Sequence, residues 1–306
     1  MESIVVVRGS SIRNALRDRI ARTGVVVVLA AVAGCGPSLE HSAYEERRFE
    51  TVGVPKVTLT TFGGDVEIRG WSRSEVVVEI EKRGAAAAVG ALSLTATQRD
   101  GTIAVDVSRP ATSGWRRWFN GAASADLVVA MPYESDVEAH TGQGAITIER
   151  AAGRIDLRTE DGGIRGTEVR GDIRARSGGG IVRLDRASGR VDAATGEGEI
   201  SVAGALDVVE VHAARGPVTV EVEAGTRLQG DWTITTGAGQ ITVRLPDGLR
   251  AEIEATAPRG SIVGDRALGG IDLRTFGRHR LHVTPPGAEH MIQVRSAEGD
   301  IRFTVP

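Results

Sequence analysis

Glycine recurs at one fixed interval through the middle of the chain, and this interval strongly limits what the chain can fold into. Five glycines follow one another at steps of 18 residues: Gly144, Gly162, Gly180, Gly198 and Gly216. Small or apolar residues alternate before each glycine, as in Ile155, Leu157 and Thr159, and two more follow it, as in Val182 and Leu184. Alternation with a period of two is typical of half-buried strands, and a fixed period near 20 residues is typical of repeat proteins.

The length of the unit indicates how the units are arranged. A unit of 18 residues can hold two strands of about five residues, each ~17 Å long, joined by glycine turns. Because the units are alike, equivalent strands are expected to stack in parallel at ~4.8 Å. The sequence therefore predicts an all-β, two-sheet parallel β-solenoid of strand–Gly–strand repeats with irregular capping units. Hydroxyl side chains are expected to form a ladder just inside the turn: Thr141, Thr159, Ser177 and Thr195.

Less regular copies of the unit lie on both sides of the five glycines, around Gly64, Gly239, Gly260 and Gly299. Residues 85–88 are expected to form a short helical turn or a loop, and the first strand is expected near Phe49. We divide the chain into four segments. They are an export signal (1–34), a lipidated cysteine with a polar tether (35–48), irregular N-terminal β units (49–136), and regular repeats with a C-terminal cap (137–306).

The N-terminal segment has the features of a bacterial export signal. Four arginines between positions 13 and 22 precede an apolar run at 24–33, which is too short to span a bilayer as a stable helix. The run ends in Val32-Ala33-Gly34-Cys35, which resembles a lipobox and implies cleavage before Cys35 and lipidation of its thiol. Cys35 is the only cysteine, so an internal disulfide and a cysteine-based metal site are excluded. The predicted location is the bacterial cell envelope, on the outer membrane if the host has one.

Charged residues occupy the outward positions of the repeats. An acid-rich column containing Asp156 and Asp192 lies beside a basic column, which predicts a lattice of exposed ion pairs worth ~0.2–1 kcal/mol each. An alternative is that a repeating arginine face binds an anionic polymer, since guanidinium pairs well with phosphate and carboxylate. The candidate residues for this face are Arg158, Arg165, Arg174, Arg176 and Arg183.

An aromatic and basic motif interrupts the strand pattern before the regular repeats. It consists of Trp115, Arg116, Arg117, Trp118 and Phe119. One interpretation is a recognition or membrane-interface loop, because Trp and Arg are favoured at such contacts. The other is a loop whose aromatic side chains cap the open end of the solenoid.

Several classes of function are not expected. A net charge of −3 and an aromatic content of 4% argue against nucleic-acid binding. His140 and His212 would lie ~19 Å apart in one column, so no metal site is expected, and no cofactor motif is present. Short turns leave shallow faces that cannot exclude water around a substrate, so we expect no enzymatic activity.

The repeated units, the related Gly64-Asp65-Val66 and Gly299-Asp300-Ile301 turns, and Met131-Pro132 before the repeats resemble one known family over about residues 50–306. It is the bacterial "putative adhesin" family of β-strand repeat proteins of unknown function, also called the toast-rack domain. The resemblance implies envelope or cell-surface association and no catalytic residues. The leading hypothesis is a lipoprotein scaffold or adhesin with an envelope protein partner. The alternative is a binder of an anionic envelope polysaccharide or lipid headgroup. The oligomeric state stays open.

Overall fold

A computed structural model describes residues 4–5, 41–109, 123–264 and 278–305. Nearly all regular structure in these ranges is β-strand, with one short helix, α1 (Ala86–Gly90). The N-terminal strands are β1 (Ile4–Val5), β2 (His41–Glu50), β3 (Lys56–Thr61), β4 (Val66–Trp71), β5 (Glu75–Gly84), β6 (Ser93–Arg99), β7 (Thr102–Ser108), β8 (Ala123–Pro132) and β9 (Asp136–Gln143). The remaining strands are β10 (Ile146–Asp161), β11 (Ile164–Gly179), β12 (Val182–Glu197), β13 (Ile200–Arg215), β14 (Val218–Val222), β15 (Trp232–Ala238), β16 (Ile241–Arg244), β17 (Glu252–Thr256), β18 (Ile262–Gly264), β19 (Arg280–Val283), β20 (Met291–Glu298) and β21 (Ile301–Thr304).

The four long strands β10 to β13 form the regular centre of the molecule. Each strand has 16 residues and pairs in parallel with the next. Ile146, Ile164, Val182 and Ile200 are therefore directly aligned, each 18 residues after the last. One turn of the chain around the core is one repeat, a strand plus a two-residue turn, and we call it a coil. The predicted all-β solenoid is confirmed.

Each coil has two corners, and they differ. The glycine turn interrupts the strand, as expected. At the opposite corner the strand continues and bends, with Arg150, Glu168 and Arg186 at φ of 53°, 57° and 52°. This left-handed residue and a glycine of positive φ three positions later, such as Gly171, turn the chain, and pairing with the neighbouring coils resumes within two residues. The two strands expected in each unit are therefore two arms of one bent strand.

Glycine is required at the turn because the coils stack there backbone on backbone. A Cβ atom added to Gly198 would lie 2.4 Å from the carbonyl oxygen of Gly180, and the φ of Gly198 is 134°. Any side chain would therefore collide with the coil below and strain the backbone. This contact explains why glycine recurs with the period of the coil.

Arms before each glycine turn form the first sheet, and arms after it form the second sheet. Their inward residues are almost completely buried and form one continuous core. The predicted hydroxyl ladder is confirmed: Thr159 Oγ1 donates to the Gly144 carbonyl at 3.0 Å, and Ser177 Oγ donates to the Gly162 carbonyl at 2.8 Å. Thr141, Thr195, Thr236 and Ser296 make the same bond to a turn glycine of a neighbouring coil.

Strand order departs from chain order at both ends of the solenoid. The first sheet runs β6–β7–β3–β9–β10–β11–β12–β13–β15–β20–β17–β19. The second sheet runs β1–β2–β5–β8–β4–β10–β11–β12–β13–β14–β16–β21–β18. The coil β3/β4 therefore lies between β7/β8 and β9/β10. The last coil along the chain, β20/β21, lies between β15/β16 and β17/β18.

The tether prediction was wrong for residues 41–48, because β2 begins at His41 and pairs antiparallel with β5 over ten residues. Charged residues made this strand look like a linker, but they are paired within the sheet: Lys82 Nζ lies 2.6 Å from Glu45 Oε1. Burial and the nearby Glu79 carboxylate raise the pKa of the Tyr44 phenol. The segment expected as a helical turn or loop is the helix α1, which buries Ala88 and Val89.

Candidate functional site

The first sheet presents two outward columns that match the predicted lattice of charges. Along one column the register aligns Glu138, Asp156, Arg174, Asp192 and Glu210. Along the other it aligns His140, Arg158, Arg176, Ala194 and His212. These side chains stand on the surface of a flat sheet, because the alternate positions are turned into the core.

Carboxylates in this lattice bind most of the arginines around them. Asp156 Oδ2 lies 2.8 Å from Arg158 Nη2 and 3.7 Å from Arg174 Nη1. Asp192 Oδ2 lies 3.1 Å from Arg174 Nε and 2.8 Å from Arg176 Nη2. The hydrogen bond that Arg174 donates to Asp192 raises the pKa of the Arg174 guanidinium. Three candidate polymer-binding arginines are therefore paired with two aspartates.

The other two candidates, Arg165 and Arg183, lie on the second sheet. They are aligned with each other in the register of β11 and β12, and they face away from the core on the opposite side from Arg158. The single arginine face expected from the sequence therefore does not exist. The prediction of one face failed because residues that are close in sequence can belong to different arms of a coil. The outward residues of the two arms lie on different sheets.

Sequence reasoning missed the other members of the column that contains Arg165 and Arg183. The register continues through Thr147 on one side and through Ser201, Thr219 and Thr242 to Arg302 on the other. The positions up to Thr219 keep the 18-residue step, which could have identified them. Arg302 was hidden because the chain inserts residues after β16 and first places Val263 of β18 at the far end of this column, so that Arg302 of β21 follows much later in sequence.

The histidines do not gather into a metal site. His140 and His212 are four coils apart in one column, as expected. His279 Nδ1 lies 2.8 Å from the Gly260 carbonyl oxygen, and His282 Nε2 lies 3.3 Å from Glu252 Oε1. Among the residues that the structure describes, no three His, Cys, Asp or Glu side chains are placed to hold a metal ion.

An open groove of about 730 Å³ crosses the second sheet at the bent corner of several coils. Ala203, Val222 and Pro246 contribute apolar surface, and Asp185 and Asp247 are among its acidic residues. Arg186 at its rim is paired with Glu168 at 3.0 Å. The groove holds no arrangement of nucleophile, base and orienting group among its lining residues.

Two predicted sites fall outside the described residues: Cys35, and the aromatic loop from Trp115 to Phe119. The aromatic loop belongs to the segment between β7 and β8, so its attachment points can be located. Ala123, where the chain re-enters the sheet, is aligned with Gly84 of β5, and Gly84 is aligned with His41 of β2. None of the helices in the described ranges is long and apolar enough to cross a membrane.

Comparisons with known proteins agree with the repeat architecture. The model of the family described as Toastrack DUF4097 matches residues 54–304. No curated protein matches the chain. A "putative adhesin" from Bacteroides fragilis has a similar solved structure, with 12% identity, coverage of 85% of this chain and 96% of that chain, and a TM-score of 0.41.

Two further solved structures are similar at the same low level. A "putative cell adhesion protein" from Clostridium sporogenes has 13% identity, coverage of 87% of this chain and 100% of that chain, and a TM-score of 0.31. A "putative lipid binding protein" from Parabacteroides distasonis has 12% identity, coverage of 85% and 96%, and a TM-score of 0.42.

Proposed function

The chain belongs to the Toastrack DUF4097 family, and we propose that it is a non-catalytic binding module of the bacterial cell envelope. In this proposal the solenoid is a rigid scaffold or adhesin that presents its outer faces to an envelope partner. The observation that carries the proposal is the arrangement of the charged residues. They stand on flat outer faces that repeat over many coils, as in the lattice around Asp156 and Asp192. Such faces suit extended contacts with another molecule better than chemistry in an enclosed site.

The geometry gives little support to an enzyme. A general acid or base must be held close to a substrate from which water is excluded. Asp156 and Asp192 are engaged by arginines on an exposed face, and the groove beside Pro246 is open to solvent. A module that binds without catalysis is the simpler account of these faces.

Lipidation of Cys35 would place the module close to a membrane. Only five residues lie between Cys35 and His41, where β2 begins, so the fold would start within ~20 Å of the anchor. His41 and Ala123 are two strands apart at one end of the second sheet, which is ~10 Å. The segment that carries Trp118 therefore re-enters the fold beside the tether. This placement supports a contact of the aromatic loop with the membrane or with a protein beside it.

Fractionation of bacteria that express the full chain tests the location. The wild-type protein is expected in the membrane pellet, and Cys35→Ser is expected in the soluble fraction because it cannot be acylated. Trp118→Ser serves as a matched control that retains the anchor cysteine and is expected in the pellet. Equal membrane recovery of wild type and Cys35→Ser would refute lipid anchoring.

Cross-linking in the same cells, followed by purification at low and high salt, tests the binding role. A defined envelope protein retained at both salt concentrations is the expected result, because a contact anchored by aromatic residues resists screening. Trp115→Ala and Trp118→Ala together should lower its recovery. Turnover of an envelope substrate by the purified chain would refute the non-catalytic assignment.

A further inference from the structure

One outward column of the second sheet, in its part between Glu67 of β4 and Val263 of β18, has a composition unlike the rest of the surface. We call it the stripe, and it consists of Thr147, Arg165, Arg183, Ser201, Thr219, Thr242 and Arg302. Its seven members belong to seven consecutive coils in space, so it is ~29 Å long at the usual strand spacing. All its side chains are arginines or small hydroxyl residues, and the arginines are exposed.

The arginines of the stripe are poorly compensated by the protein. In the described part of the chain, Arg165 and Arg302 have no carboxylate within ion-pair distance. The carboxylate paired with Arg183 is Glu199, at 3.9 Å. Arg158 and Arg176 of the first sheet are aligned in the same way, but each donates to an aspartate at 2.8 Å.

Alignment of Arg165 with Arg183 therefore has an electrostatic cost, which the long contact of Arg183 with Glu199 offsets only in part. Like charges directly opposite each other on neighbouring strands destabilise a sheet. The first sheet avoids this cost by placing Asp156 and Asp192 beside its arginines. The second sheet leaves the two guanidinium groups facing solvent one strand apart. An anion that bound both groups would remove the repulsion, and guanidinium binds phosphate and carboxylate with two parallel hydrogen bonds.

The hydroxyl residues extend this chemistry along the stripe. Ser201, Thr219 and Thr242 occupy the three coils between Arg183 and Arg302. A hydroxyl group both donates and accepts hydrogen bonds, so it complements the hydroxyl groups of a sugar. The stripe thus offers charge at two places and neutral hydrogen-bonding groups between them.

Acidic residues limit the width of the stripe. Glu149 and Asp185 stand in the next outward column of the same sheet. Their negative charges disfavour a broad anionic surface such as a membrane. A single chain that lies along the stripe avoids them.

We propose that the stripe binds a linear polyanion, an acidic polysaccharide that carries a carboxylate on its repeating unit. The polymer lies along the solenoid, with its anionic groups on Arg165, Arg183 and Arg302 and its hydroxyl groups on the threonines and serine between them. This inference rests on the proposed binding role of the outer faces and names the ligand class of one of them.

Two triple variants of the full chain test the proposal with equal changes in charge. The stripe variant carries Arg165→Gln, Arg183→Gln and Arg302→Gln. The matched control carries Arg158→Gln, Arg174→Gln and Arg176→Gln on the first sheet. Affinity is measured by calorimetry for polygalacturonate, for inorganic polyphosphate, for neutral dextran and for phosphatidylglycerol vesicles, and circular dichroism checks that both variants are folded.

The stripe variant is expected to lose at least about tenfold in affinity for polygalacturonate, because hydrogen bonds to charged groups are lost. The control is expected to stay within about twofold of wild type, because its arginines are already paired. Binding should weaken steeply with added salt, and dextran should not bind. If the stripe variant does not fold, Arg165→Gln alone, at an exposed position, is compared with Arg158→Gln.

Several outcomes would overturn the proposal. These are no polyanion binding by the wild type, equal losses in both variants, or a preference for vesicles over polymers. Stronger binding of polyphosphate than of polygalacturonate would refute the polysaccharide assignment. Failure of this inference is distinct from failure of the proposed function, because a lipid-anchored chain that retains an envelope protein would still be a binding module.

Discussion

Close contacts between neighbouring coils determine which residues can stand at the turns of this solenoid. The turn glycines are required because neighbouring coils meet there through their backbones, as Gly198 meets Gly180. Buried hydroxyl groups then satisfy the turn carbonyls that the core would leave without a partner. Aspartates have a related role at the irregular turns: Asp65 accepts from the Ala145 N–H at 2.8 Å, and Asp300 accepts from the Ser261 N–H at 2.8 Å. The Gly-Asp pairs of the sequence are therefore caps for a neighbouring coil.

Replacement of a turn glycine tests this close approach. Gly198→Ala is expected to lower the free energy of unfolding by more than ~2 kcal/mol, because the new Cβ meets a backbone oxygen and the φ is positive. Gly179→Ala is the matched control, since a Cβ there meets no atom within 4 Å, and it should change stability by less than ~0.5 kcal/mol. Urea denaturation of both variants measures the difference. Equal effects would show that the turns do not stack as described.

Between Thr195 and Thr236 the hydroxyl ladder is interrupted at Ala213, which is fully buried and aligned with Thr195. Ala213→Thr is expected to add the missing bond to the Gly198 carbonyl and to stabilise the fold by ~0.5–1.5 kcal/mol. Ala193→Thr, two residues before Thr195 in the apolar core, should destabilise it by ~1–3 kcal/mol because its hydroxyl has no acceptor there. Thermal unfolding compares the two. A loss of stability in Ala213→Thr would contradict the proposed geometry.

The strands and coils predicted from the sequence can be compared directly with those of the structure. The 18-residue step predicted the alignment of β10 to β13 because each coil repeats the same turn, ladder and core positions. It failed for β2 because charged residues such as Glu45, which pairs with Lys82 of β5, look like a polar linker when read along the chain. The arginine face failed for a related reason. Arg158 and Arg165 are close in sequence but belong to different sheets.

Titration of Tyr44 tests whether residues 41–50 are a strand or a tether. In the strand, burial and Glu79 raise the pKa of the phenol, so the folded state favours the neutral form. Its contribution to stability is complete below the ordinary pKa near 10 and is lost as the pH rises toward the folded pKa. In a Tyr133→Phe variant, which leaves one tyrosine, tyrosinate absorbance should therefore appear well above pH ~10. Titration centred at the ordinary value would indicate an open tether.

The whole molecule is a stack whose two ends are held by coils taken out of chain order. The sequence could identify β3/β4 and β20/β21 as copies of the unit, because their glycines and apolar positions match. The sequence could not show where these two coils insert into the stack. Every coil presents similar parallel strand edges, so the position of each coil depends on tertiary packing. Each end thus has a coil between two others, which ties residues near both termini into the core.

Truncation after residue 290 tests this order. It removes β20 and β21, so β18 loses its strand partner and β17 keeps only β19. Residues 252–264 are expected to lose at least about tenfold in hydrogen-exchange protection, while β10 to β13 retain theirs. Mass spectrometry of the exchanged peptides reads both regions at once. Protection retained at 252–264 would show that these residues stack directly on the preceding coil.

Photo-cross-linking in living bacteria tests whether the outer faces of the solenoid are binding surfaces at the cell envelope. A photoreactive residue is placed in the full-length chain at Thr219 in the stripe or, as a control, at Gly179 at the end of β11. Envelope polysaccharide adducts at Thr219, reduced in the stripe variant and absent at Gly179, are the predicted result. Adducts at neither position, or adducts only with proteins outside the envelope, would contradict this binding role.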